Sequence, residues 1–143
     1  QLGQESTANI GDQALEMGVN LSKINIPGVH KAVSQTYEQV TGILNDSDDI
    51  YCFGNGVFGG VGNGAMDPIG DSAGEITDLS PLDLGSGRSA KKLFPTTTCA
   101  ELDNHEVKCW GKNNSGQLGI GTALNMGDNA GEMGDNLPPI EIH

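Results

Sequence analysis

Cys99-Ala-Glu-Leu-Asp-Asn-His-Glu-Val-Lys-Cys-Trp-Gly111 leads into Asn114-Ser-Gly-Gln-Leu-Gly119 and then Gly131-Glu-Met-Gly-Asp-Asn-Leu-Pro138. Most of this stretch occurs again upstream, and that repetition decides the fold. Residues 1–27 align with 117–143 without a gap, with 14 of the 27 positions identical. Gln1-Leu2-Gly3 answers Gln117-Leu118-Gly119, and Glu16-Met17-Gly18 answers Glu132-Met133-Gly134. A third copy lies between them, where Ile69-Gly70-Asp71 matches Met126-Gly127-Asp128 and Pro81–Leu84 matches Pro139–Ile142. The other half of the unit occurs twice, Ile50-Tyr51-Cys52-Phe53-Gly54 answering Val107-Lys108-Cys109-Trp110-Gly111. The period is 57–59 residues. It divides the chain into the second half of one unit (1–27), a diverged full unit (28–85) and a second full unit (86–143).

The residue types inside one unit favour strands. Thr96–Leu102 is β-prone and Glu106–Trp110 is a short alternating run. Asp103-Asn104-His105 joins them as a three-residue hairpin loop whose last residue takes the left-handed conformation, which His tolerates. That loop sets Leu102 opposite Glu106 and Cys99 opposite Cys109. Leu137–Ile142 reads as a third strand, with Leu79–Leu84 and Leu21–Ile26 as its equivalents. Twenty-two glycines at fixed places in the repeat mark turns. Short strands at regular spacing with glycine turns predict an all-β repeat sheet, a propeller or a relative of one.

Composition bounds the partners. The net charge is −12, from seven Lys and Arg against nineteen Asp and Glu, which argues against a nucleic-acid partner. No apolar run approaches the ~20 residues of a membrane helix. Five of the basic residues (Arg88, Lys91, Lys92, Lys108, Lys112) fall between positions 88 and 112, either a solvated rim or a docking patch for an acidic partner. The chain opens in mid-motif at Gln1-Leu2-Gly3, as expected of a piece of something longer.

At the quoted residues the chain resembles the RCC1-like repeat family, and the likeness covers nearly its whole length. The resemblance implies four-stranded blades arranged as a β-propeller, usually seven-bladed. Two and a half units cannot close such a ring. The array is then either part of a longer propeller or completed by neighbouring subunits, because open strand edges associate. The name-giving member is a nuclear exchange factor for a small GTPase, whereas the acidic composition and Cys usage here favour a different branch. Secreted relatives, such as propellers that inhibit β-lactamases, use their blade loops purely for binding.

Few residues invite chemistry. Cys99 and Cys109, facing across the hairpin, predict a disulfide, the alternative being two buried free thiols. The position equivalent to Cys99 in the middle unit is Gly42, so Cys52 has no partner in its own hairpin and reads as a small buried hydrophobe, or as the partner of a missing segment. Asn20, Asn45 and Asn113 head N-glycosylation sequons, which together with a disulfide favour an extracellular or cell-surface setting. Asn45-Asp46-Ser47-Asp48-Asp49 lacks the Gly and the closing Glu of a calcium loop and reads as a solvated turn. Asp12, Asp71 and Asp128, like Glu16, Glu75 and Glu132, recur in every copy and so predict backbone capping rather than catalysis. His30, His105 and His143 show no zinc-ligand spacing. The glycines from 54 to 64 lack the Lys-Ser/Thr of a phosphate loop.

No catalytic, cofactor or metal residue is expected. The favoured expectation is a non-catalytic extracellular module of RCC1-like blades that packs with copies of itself, with other blades of a longer chain or with a protein partner, within a larger and possibly filamentous assembly. The alternatives are a protein-binding regulatory propeller fragment, of the exchange-factor or enzyme-inhibitor type, and one lobe of a larger enzyme.

Overall fold

A computed structural model describes residues 2–141 of the chain; Gln1, Ile142 and His143, which carry two of the repeat matches and one of the histidines, lie outside the described residues. The described fold is all-β, two antiparallel three-stranded sheets. The first orders β1 (His30–Gln35), β2 (Val40–Asn45) and β3 (Ile50–Gly54); the second orders β4 (Ala90–Leu93), β5 (Cys99–Leu102) and β6 (Val107–Cys109). Three single turns of 3₁₀ helix, Gly18–Asn20, Val57–Gly59 and Gly134–Asn136, complete the regular structure. No helix among the described residues is long and apolar enough to cross a membrane.

Each full unit holds one sheet, and the described residues of the first half-unit, 2–27, hold none of the strands. The two hairpins share one turn. In the second sheet Leu102 N–H donates to Glu106 O at 2.8 Å and His105 N–H to Leu102 O at 3.0 Å, with His105 at φ 66°. In the first, Asn45 N–H donates to Asp49 O at 3.0 Å and Asp48 N–H to Asn45 O at 3.2 Å, with Asp48 also at φ 66°. Cys99 pairs with Cys109 as Gly42 pairs with Cys52, a register preserved across the repeat.

Two strand assignments need correction. Leu79–Leu84 and the 137–141 segment run alongside β3 and β6 but make isolated ladder bonds: Leu82 N–H to Ile50 O at 2.7 Å and Ile140 N–H to Val107 O at 2.8 Å. Pro81, Pro138 and Pro139 have no N–H to extend the ladder, and Leu21–Ile26 forms no strand at all. Thr96–Thr98 is a turn rather than strand, with Thr96 at φ 66°. Conversely, β1 and β4 are strands for which the sequence carries no signal. Ala-Lys-Lys-Leu and His-Lys-Ala-Val-Ser-Gln carry no alternation strong enough to announce a strand, and pairing with β2 and β5 makes them one.

Register sorts the side chains to two faces. Ile43, Tyr51 and Phe53 line one face of the first sheet and pack with Ile24, Ile26 and Ile76. Val40, Leu44, Ile50 and Cys52 line the other, in a larger core with Val61, Leu84, Leu93, Ala100, Leu102, Trp110 and Leu137. The larger core therefore lies between the sheets and joins both full units.

His105 is a non-glycine residue held in the left-handed region, where L side chains cost about 1–2 kcal/mol. Its ring lies 3.3 Å from the Glu101 carboxylate, an exposed contact that offsets little of this cost. His105→Gly should raise stability by about 0.5–1 kcal/mol in thermal or urea unfolding, and His105→Val should lower it by at least as much. Equal midpoints for the three proteins would contradict the turn geometry.

Candidate functional site: the joint between repeat units

In two of its three copies the recurrent Leu-Gly or Val-Gly dipeptide, Leu2-Gly3 and Val61-Gly62, seats an aromatic ring of the following sheet. Gly62, at φ +74°, leaves a place where a Cβ would lie 3.5 Å from Trp110 Cδ1 and overlap Leu82 Cδ1. Gly3, at φ +67°, does the same beneath Phe53, 3.0 Å from Cε2. Both rings are fully buried, and the indole Nε1–H of Trp110 donates to Gly60 O at 2.9 Å. Two strand residues earlier Lys108, 5 % exposed, donates from Nζ to Leu84 O at 2.9 Å and Gly134 O at 2.8 Å. A buried ammonium satisfied by two carbonyls from different units ties the units at that point.

Salt links surround the joint. Asp48, in the first hairpin turn, pairs with both Lys31 of its own unit and Lys91 of the next. Those two ammonium groups hold its carboxyl below the usual range. Ser86 donates its hydroxyl and its N–H to Asp135 at 2.6 and 2.8 Å, and these bonds lower the Asp135 carboxyl.

Of the basic residues between 88 and 112, Arg88, Lys91 and Lys92 are exposed and Lys112 is half-buried, as expected of a solvated rim, and Lys108 departs from it. Arg88 pairs with Asp103, Lys91 with Asp48 and Lys112 with Glu38, while Lys92 lies 4.8 Å from the Phe94 ring. Lys108 is inside. Sequence reasoning missed this role, since a lysine at an alternating strand position reads as solvent-facing.

The recurrent acidic pairs divide their labour. Glu75 Oε2 accepts the N–H groups of Gly70, Asp71 and Ser72 at 2.7–3.0 Å. Glu132 Oε2 accepts those of Gly127, Asp128 and Asn129 at 2.9–3.1 Å, and Glu16 Oε2 those of Gly11 and Gln13 at 2.8 Å. Capping therefore belongs to the Glu. The Asp lends its amide, while its carboxylate holds a neighbouring side chain, Asp71 taking the Ser72 hydroxyl and Asp128 the Asn129 amide. The amides of Ser72 and Gly70 lower the Glu75 carboxyl, and those of Gln13 and Gly11 lower that of Glu16. Burial alone would push Glu132 up, but the bonds from Asn129 and Gly127 outweigh it.

Two of the three sequons are turned inward. Asn113 is fully buried, its Nδ2 donating to Thr122 O and Leu124 O and its Oδ1 accepting Leu118 N–H. Asn45, 2 % exposed, donates to Pro27 O and accepts the amides of Ser47 and Asp49. A glycan on either would require breaking these bonds, so both serve as turn anchors in the fold. Asn20 is exposed.

A disulfide joins Cys99 and Cys109, whose Cα atoms lie 4.1 Å apart. Closing a loop of this length contributes about 2–3 kcal/mol. The equivalent pair in the first sheet is Gly42 with Cys52, and Leu93 of the next unit sits over it, its Cδ2 3.3 Å from where a Gly42 Cβ would be. Cys52 is buried, and burial pushes its thiol up to about 12, which makes it a packing group rather than a nucleophile at neutral pH. His30 Nε2 lies 3.1 Å from Ile26 O. Among the described residues no three His, Cys, Asp or Glu side chains are grouped to hold a metal ion. No protein-family model and no curated protein matches the chain.

The capping carboxylates make stability depend on acid. Glu16, Glu75, Glu132, Asp48 and Asp135 all have folded values below their ordinary ones, so in the window between them the unfolded chain binds more protons. Their stabilisation is complete above the ordinary carboxyl range, about pH 4–4.5, and is lost as pH falls through the lowered values. The thermal midpoint should be flat from about pH 7 to 5.5 and fall on further acidification. Glu75→Gln should lie below the parent at pH 7 and approach it at pH 3, which separates capping from the relief of self-repulsion in so acidic a chain. A constant gap between the two proteins would contradict the capping role.

Proposed function

We propose that the chain is a non-catalytic structural and binding module built of RCC1-like blades, working outside the cell or at its surface and packing against further blades, in copies of itself or in a longer chain. One observation carries this reading: apolar positions buried in one copy of the repeat are exposed in another. Leu118 and Leu137 are 5 % and 1 % exposed, whereas their counterparts Leu2 and Leu21 are 48 % and 40 % exposed. Met133 packs against the inter-sheet core, and its counterpart Met17 is exposed. Leu93 pairs with Ala100 and fills the hollow over Gly42; Val33, at the matching place opposite Ile43, is 60 % exposed. Each exposed residue marks a contact that the repeat knows how to make.

The chemistry of the chain supports the non-catalytic part of the reading. The recurring Glu carboxylates are committed to backbone amides, those of Asp71 and Asp128 hold neighbouring side chains, and the free thiol is buried and held protonated. The disulfide and the exposed Asn20 favour an oxidising compartment. In light scattering the protein should form a high-order or filamentous species. Leu21→Asp together with Val33→Asp should disperse it without lowering the thermal midpoint. A stable monomer across the micromolar range would overturn the assembly reading.

A further inference from the structure

Between the return loops of the two full units runs a groove of about 560 Å³. Its floor is apolar, formed by Cys52, Ile69, Leu79, Leu82 and Met133. Its rim carries Glu75, Asp78 and Asp83, and no basic side chain lines it. The volume falls within the range of built ligand pockets, roughly 300–1,000 Å³. One wall, Leu79–Asp83, is an extended segment beside β3 that makes a single ladder bond to it, Leu82 N–H to Ile50 O.

The carboxylates are not equally committed. Glu75 gives Oε2 to three amides, and Asp83 Oδ1 accepts the Gly85 N–H at 2.9 Å. The Asp78 side chain is exposed and has no hydrogen-bond or ion-pair partner among the described residues. The groove thus joins an apolar floor to negative charge that nothing in the fold neutralises, on a chain of net charge −12.

We infer that this groove docks an extended segment of a protein partner in which an arginine or lysine is flanked by aliphatic side chains. The aliphatic groups cover Leu82 and Met133, and the cation sits at the Asp78 rim. Long basic side chains fit such a place because their methylene stems cover apolar surface while the charged head stays at the edge. The extended wall favours an extended ligand. The groove lies between the two units already described, so this inference does not rest on the packing of further blades and fails separately from it.

The test uses the whole chain with methyl-labelled methionine and a capped hexapeptide of alternating leucine and arginine. The Met133 methyl should shift and saturate, while Met17 and Met66, exposed elsewhere, stay in place. Raising salt from about 0.05 to 0.5 M should weaken binding. Asp78→Asn should weaken it about two- to fivefold, with an unchanged thermal midpoint. The same peptide with glutamate for arginine should leave Met133 unmoved. An unmoved Met133 with the arginine peptide, equal shifts at Met17 and Met66, or an Asp78→Asn protein that binds as the parent does would each overturn the inference.

Discussion

The Trp110 indole, seated on the Gly60–Gly62 turn of the preceding unit, is the contact on which the rest of the molecule depends. It needs three things together: a glycine at positive φ to leave room for the ring, a carbonyl aimed at the indole N–H, and a strand that ends where the ring must point. Trp110 is the one tryptophan in a chain whose aromatic share is 4 %. With so few large side chains, burial has to be concentrated, and the ring lies in the one core that contains side chains of both sheets. Phe53 over Gly3 repeats the arrangement without the polar bond.

Around that contact the fold is held by polar groups with many partners rather than by long ladders. Strands of three to six residues leave long glycine-rich returns, whose backbone N–H groups need acceptors. Glu75 and Glu132 each supply one oxygen to three amides in sequence. Asn45 and Asn113 each brace a turn from inside, with the side-chain nitrogen and oxygen of both hydrogen-bonded. Lys108 closes two carbonyls at the seam. No buried side-chain nitrogen or oxygen among the described residues lacks a partner. Such a design replaces part of the missing apolar core with satisfied buried hydrogen bonds, and it makes the structure sensitive to acid.

The repeat, the all-β class, the hairpin loop with His105 at its left-handed position and the Cys99–Cys109 register were legible because each depends on local sequence alone. The capping carboxylates were legible as a class, because recurrence in every copy marks scaffold, although Glu rather than Asp does the capping. What could not be read depends on partners distant in sequence. β1 and β4 become strands by pairing, and the returns at 79–84 and 137–141 lose their ladders to proline. The sequon asparagines look like surface signals until Thr122, Leu124 and Pro27 are brought against them. Lys108 offered no signal except its place between Val107 and Cys109, one strand position from a disulfide. The groove joins residues from 52 to 133, and no spacing rule would collect them.

Native-state hydrogen exchange on Trp110→Ala tests the joint most directly. If the aromatic-on-glycine contact binds the units into one cooperative structure, the slowest amides of β2, around Ile43 and Leu44, should lose protection together with those of β5, around Ala100 and Leu102, by a common amount of about 3–5 kcal/mol. Loss confined to β4–β6, with β2 unchanged, would show the two sheets to be independent and would contradict the account.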